Sequence, residues 1–276
     1  MFTINPFGEL SAYVSTGVMQ TFVIVMILLV VGGTLFDVIH KRSAKYFAEL
    51  SARSATGSDP VSKGSIMVKT ALVDVATSAE FCNPHRRIAH LLTMYGFIVH
   101  VLATLCLVFG NEGPGGEVAG LVVALWYLGA LAVCVGGYWF WFVIRVDVSA
   151  EGLSPMRLVR ADLFVLSLLA MTTFGIIWGI LQSSGGGTGA WLFLTLYLIA
   201  TVVLFGGVPW SKFAHMFFKP AAAYQKRVAY ASGEAMGLPT ISRDDPEQQK
   251  RHSMELLVDA PMDMGLGIKR EAPKHY

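Results

Sequence analysis

The stretch His85–Phe109, HRRIAHLLTMYGFIVHVLATLCLVF, decides the fold. It opens on two arginines and then runs from Ile88 to Phe109 without another Asp, Glu, Lys or Arg. A helix of that length crosses a hydrocarbon core of about 30 Å. Working outward, four comparable apolar runs occupy Val18–Ile39, Val118–Ile144, Leu163–Leu181 and Trp191–Trp210. Composition agrees: 54% of the residues are hydrophobic and 14% charged, where an ordinary soluble domain carries about a quarter charged residues. The expected fold is therefore all-α, an integral membrane bundle of five transmembrane helices. A net charge of +2 with scattered basic residues argues against a nucleic-acid ligand.

Orientation follows from the basic residues, which concentrate in cytoplasmic loops. All 21 Lys and Arg lie between the first and second runs, between the third and fourth, or after the fifth. The amino terminus is thus expected outside and the carboxyl terminus in the cytoplasm, with the chain in a bacterial cytoplasmic membrane. The first run has no basic residue before it and no small-residue cleavage site, so it reads as a retained span. The organisation expected is an outer segment 1–17, a transmembrane domain 18–217 with a cytoplasmic loop 41–87, and a cytoplasmic tail 218–276. The outer turns NEGPGGE (111–117) and SSGGGTG (183–189) are short and glycine-rich, making their flanking helices antiparallel neighbours.

Ionisable side chains inside a bilayer are costly and mark function. No Asp, Glu, Lys or Arg lies well inside a run; Asp37, Asp162 and Lys212 sit near the cytoplasmic boundary. That absence counts against a small-solute transporter. Three cysteines, Cys82, Cys106 and Cys134, form no cluster or CxxCH, and Cys106 and Cys134 read as small apolar fillers. Histidine remains. His90 opens span two, His100 lies about 15 Å deeper, and His215 closes span five. His90 and His215 share a depth, so two readings stand: interfacial residues, or two imidazoles holding one haem iron. His40 and His85 read as surface or supporting residues. Gly96, Gly206 and Gly207 admit either a flat macrocycle near the backbone or close helix packing, whereas Gly175 and Gly179 carry the small-xxx-small spacing of packed helices.

HRRIAHLLTMYGFIVHVL opening span two and VPWSKFAHMFFKP closing span five resemble the b-type cytochrome membrane subunits related to the respiratory nitrate reductase gamma subunit. Within that group the nearest likeness is to the membrane anchor of adenylylsulfate reductase and the membrane part of the quinone-interacting membrane oxidoreductase complex. The resemblance covers about residues 18–230. It implies a haem b electron-transfer subunit, an oxidoreductase component and not a complete enzyme, linking the quinone pool to a cytoplasmic redox enzyme of dissimilatory sulfur metabolism. By it, His90 and His215 are the axial ligands of an inner haem. His100 matches a ligand of a second haem, but Tyr197 stands where the family carries the partner histidine. His100 then has another partner or lines a quinone site. A haem-free anchor for a soluble enzyme is the alternative.

Partner contacts are expected on the loop 41–87 and the tail, where Met254–Val258 and Met262–Ile268 form short apolar patches suited to a partner groove.

Overall fold

The computed structural model describes residues 3–55, 62–79, 81, 83–110, 113, 120–148, 152–211, 213 and 215–232. Five long apolar helices carry it, and no strand occurs among the described residues. They are α2 (Thr16–His40), α5 (Pro84–Phe109), α6 (Gly120–Trp139, extended by a π-helical turn Phe140–Ile144), α7 (Leu163–Ser183, led by a 3-10 turn Arg160–Asp162) and α8 (Thr188–Gly206). Four shorter helices are α1 (Pro6–Leu10), α3 (Ser43–Ala55), α4 (Lys63–Lys69, continued by a π-helical turn Thr70–Ala76) and α9 (His215–Ala231). The five long helices are those expected, with ends moved by a few residues. Large apolar side chains line the perimeter, Leu28, Leu121, Leu128 and Ile199 each more than half exposed. Such a surface is at home in lipid.

The ends of these helices have local causes. Asn83 accepts from the backbone N–H groups of His85 and Arg86, and Pro84 supplies a first helical position that needs no N–H. At the other end of the bundle, Gly185, Gly186 and Gly187 all take positive φ, a region open to glycine at little cost, and so turn α7 back into α8. The fifth span stops at Gly206, short of the expected Trp210: Gly207 and Pro209 end the α-helix in a 3-10 turn, Val208–Trp210.

Helices α5, α6, α7 and α8 pack in sequence as antiparallel neighbours, and α2 lies against α8, the Val208–Trp210 turn and, more lightly, α5. The α5–α6 seam is the closest approach. A Cβ on Gly96 would stand 2.7 Å from Gly129 O, one on Gly129 2.7 Å from His100 N, and one on Gly136 2.6 Å from Ala89 O. Gly96 therefore serves helix packing and is not open to a macrocycle. Gly175 and Gly179 also serve helix packing, as their spacing suggests, but against side chains and not backbone. A Cβ on Gly179 would meet the Tyr127 hydroxyl at 2.6 Å, and one on Gly175 the Tyr197 ring at 3.1 Å, so these glycines make room for aromatic rings.

The ends of the bundle hold features that span-finding did not expose. Residues of α1 tuck inside: Phe7 and Leu10 are buried, Phe7 packs edge-on to Trp126 and Trp178, and Asn5 Nδ2 donates to Leu107 O at 3.2 Å. At the opposite end, which bears the basic loops, Arg145 is fully buried. Its Nη2 donates to Asp162 Oδ2 (2.6 Å) and Arg157 O (2.7 Å), and its guanidinium lies 3.9 Å from the Trp141 ring centre. This knot ties the α6–α7 connection to the bundle. Helices α3, α4 with its π turn, and α9 pack on one another at the same end. Arg227 of α9 donates to Asp74 through Nε (2.6 Å) and Nη2 (2.8 Å), and that contact holds the Asp74 carboxyl below its usual range despite partial burial. Helix α9 thus runs through the boundary drawn at residue 218 and joins the front of the tail to the loop. Cys82 and the patches Met254–Val258 and Met262–Ile268 lie outside the described residues.

Candidate functional site: a buried histidine on an apolar groove

His100 sits on α5 where the α5–α6 backbones are closest, and its side chain is 1% exposed. Nδ1 lies 2.9 Å from Trp126 O, and the imidazole leans on the Trp126 ring with centroids 4.9 Å apart. A carbonyl oxygen only accepts, so Nδ1 carries the hydrogen and Nε2 of the neutral ring carries the lone pair. Nε2 is buried and has no hydrogen-bond partner among the described residues. An unmet acceptor in an apolar interior is costly.

Beside it, a cavity of about 420 Å³ runs between α2, α5 and α8, with α1 at one end and Phe213 and Met216 at the other. The volume lies in the range of small-molecule sites, about 300–1,000 Å³. His100 lines it, and no residue of α6 does. Nδ1 is turned to α6, and Nε2 is itself covered by protein atoms. Around His100 lies a small polar cluster. Thr104, one turn on, donates to His100 O (2.8 Å) and accepts from Trp126 Nε1 (2.9 Å). The Tyr197 ring, on the same cavity, stacks on Trp178 at 5.7 Å. Elsewhere the lining is almost wholly hydrocarbon: Phe22, Val23, Met26, Val30, Phe97 and Phe205 are typical.

The other two predicted histidines lie at the basic end. His90 Nδ1 is 3.0 Å from Ser78 Oγ, and its ring packs on Phe81 at 4.8 Å. Ser78 is itself buried, and its hydroxyl turns to Val75 O at 3.4 Å, leaving lone pairs toward Nδ1. His215 is the first residue of α9, past the end of the fifth span, and meets Phe164 edge-on at 5.6 Å. Phe81 joins the two neighbourhoods: the Lys219 ammonium, one turn after His215, lies 5.7 Å from its ring centre. His90 and His215 rest on different rings. Phe164 also packs on Phe213, which touches Phe97 and Phe205, and the last three line the groove at His100.

A haem can be tested against these donors. His100 fits: a metal-binding imidazole commonly donates its far N–H to a carbonyl, which fixes the tautomer and aims the free nitrogen. His90 has the same kind of support from Ser78. The Tyr197 side chain offers a phenol on the same cavity where the resemblance expects an imidazole, so a bis-histidine pair at His100 is not built here.

His40 stacks on Phe36 and His85 leans on Trp139, both at the surface, as expected of supporting residues. Cys134 is buried and reaches Thr172 Oγ1 at 3.4 Å, whereas Cys106 is exposed on the perimeter. His252 and His275 lie outside the described residues. Reading by spans missed Trp126, Thr104 and Ser78. Thr104 was within reach, since a residue four after His100 shares its helix face.

Fold and site together define a multi-pass, all-helical membrane protein in which a buried imidazole, His100, lies beside a hydrocarbon-lined groove. No family model, no curated protein and no solved structure matches the chain.

Proposed function

We propose that this chain is a membrane-embedded electron-transfer subunit, binding haem b and passing electrons between the quinone pool and a redox enzyme at the cytoplasmic face. The observation that carries the reading is His100: a fully buried imidazole deep in the second span, held in one tautomer by Trp126 O, in a side chain that lines an apolar cavity.

His90 and His215 would hold the iron of an inner haem, which supplies reversible one-electron chemistry. The chain's own part is to keep Nδ1 of His90 on Ser78 and to pack Phe81 and Phe164 beside the imidazoles. The platform of α3, α4 and α9, joined by Asp74 and Arg227, offers the partner enzyme a surface next to His215. The sequence resemblance favours a sulfur-metabolising partner of the adenylylsulfate reductase type. It also favours a bacterial cytoplasmic membrane with the basic loops inside.

The visible spectrum of the purified protein tests this reading. A b-type α-band on reduction is expected. A featureless reduced spectrum, in protein purified from haem-replete cells, overturns it in favour of a haem-free anchor.

A further inference from the structure

We infer that α4 and its π turn, residues 63–76, form an in-plane anchor in the leaflet at the basic end of the bundle. It sinks Met67, Val68 and Leu72 among the acyl chains and holds anionic phospholipid headgroups with Lys63 and Lys69. The inference stands apart from the haem reading: it concerns how the loop between the first two spans meets lipid, and it needs no cofactor.

The first ground is where the segment is fastened. From Ala76 the chain is tied to the first turns of α5 at three points. Tyr95 Oη donates to Ala76 O at 2.6 Å, Arg87 Nε donates to Thr77 O at 2.7 Å, and Ser78 Oγ lies 3.0 Å from His90 Nδ1. Tyr95 stands about 10 Å of helix past Ile88, where the uncharged run of α5 begins. Ile88 and Tyr95 share a helix face and are both close to half exposed, so this flank of the span looks outward. Even with its ring leaning back toward the helix start, Tyr95 sets the end of the π turn beside the apolar part of a membrane span and not out beyond it.

The face it presents is the second. On the inner side Thr70 is buried, the segment packs on α9, and Asp74 receives Arg227. The outer side carries Gly64, Met67, Val68, Ala71 and Leu72, which follow one another at helical spacing. Met67, Val68 and Leu72 are 60%, 56% and 61% exposed. An exposed apolar stripe rimmed by polar residues marks a protein or a membrane contact, and the place of this one beside α5 decides for the membrane.

Charge is the third. Lys63 lies a turn from Met67 and Lys69 a turn from Leu72, so an ammonium stands at either end of the stripe. Both lysines are exposed, and neither is held in an ion pair among the described residues. The one carboxylate of residues 63–76, Asp74, is taken by Arg227 through both oxygens, and Lys69 and Lys226 stand near enough to draw on its charge. Cations on long apolar stems, set beside a stripe that goes deeper, fit headgroup phosphates above acyl chains. An anionic leaflet offers those lysines a net charge that a zwitterionic one does not.

The test is photo-crosslinking of the full chain in phosphatidylcholine nanodiscs. Two trace probes are compared, phosphatidylglycerol and phosphatidylcholine, each with a diazirine near the carbonyl end of one acyl chain, and adducts are located by mass spectrometry. Residues 67–72 should be labelled, as should Leu28 and Ile199 on the exposed perimeter. Relative to those perimeter sites, phosphatidylglycerol should label residues 67–72 about fivefold more than phosphatidylcholine does, the preference that one lysine at an anionic surface gives. Lys63→Gln with Lys69→Gln should remove the preference while labelling remains. A segment left unlabelled by both probes, with Leu28 and Ile199 labelled, overturns the proposal in favour of a face kept for a protein partner. Equal labelling by the two probes in the unaltered protein also overturns it, since the segment then touches lipid without selecting anionic headgroups. Neither comparison needs a variant to fold. A preference that survives in the double lysine variant overturns the part given to Lys63 and Lys69.

Discussion

Gly129→Ala puts the α5–α6 seam and the His100 tautomer to the same test. The new methyl would stand 2.7 Å from His100 N, 2.8 Å from Gly96 O and 3.1 Å from His100 Cα, all backbone atoms that cannot rotate away. Restoring ordinary contact near 3.5 Å requires α5 to move off α6 by roughly 0.7 Å, and overpacking of this kind costs about 1–3 kcal/mol. The same movement stretches the 2.9 Å bond from His100 Nδ1 to Trp126 O beyond useful length, a further loss of about 1 kcal/mol. The two together, about 2–4 kcal/mol, lower the melting temperature by about 4–16 °C at about 2–4 °C per kcal/mol for a chain of this size. Circular dichroism melts in detergent would measure it, with Gly32→Ala as the control, because nothing lies within 4 Å of a Cβ there and alanine favours helix. Ring ¹⁵N shifts of His100 should show the Nδ1–H tautomer in the parent and a mixture in Gly129→Ala. A Gly129→Ala protein that melts no lower than Gly32→Ala, with its tautomer unchanged, would refute the account of the seam.

Three further outcomes are expected. Asp162→Asn should cost about 3–5 kcal/mol by stranding the fully buried Arg145 charge, while Arg145→Met with Asp162→Leu should recover most of it; equal losses in the single and double variants, read by thermal melting, would show that the pair does not act as a unit. The Asp74 carboxyl is held below its ordinary value by Arg227, so its contribution to docking α9 is present above the ordinary carboxylate pKa and fades as pH falls through the depressed one; limited proteolysis of α9 should rise only in that acid range, and should rise at neutral pH in Arg227→Met. His90→Ala and His215→Ala should each abolish low-spin haem absorbance, and full retention in both would remove the inner-haem assignment.

The spans were legible because lipid imposes one simple rule, a helix of some twenty apolar residues, and nothing between His85 and Phe109 conflicts with it. What surrounds each span was not. Arg145 reads in sequence as a loop cation, yet it is fully buried, because its partners Asp162 and Arg157 O arrive from residues 12 and 17 positions later, on the return toward α7. The α1 residues read in sequence only as part of an outer segment 1–17, but the Asn5–Pro6 start is a capping pattern, and only the packed bundle shows that Phe7 packs beside Trp126 and Trp178. For the site, the depth of His100 was visible from its place in the run. Its tautomer was not, since the carbonyl that sets it belongs to Trp126 on another helix, exposed to His100 only because Gly96 and Gly129 let the backbones close.

Electron transfer from a hydroquinone into the protein is the most direct measurement of the central claim. Air-oxidised protein in nanodiscs should develop a b-type α-band when decylhydroquinone is added without oxygen, and His100→Phe should slow that change while dithionite still reduces the haem fully. A parent protein that dithionite reduces but decylhydroquinone leaves oxidised would contradict the claim that this chain takes electrons from the quinone pool.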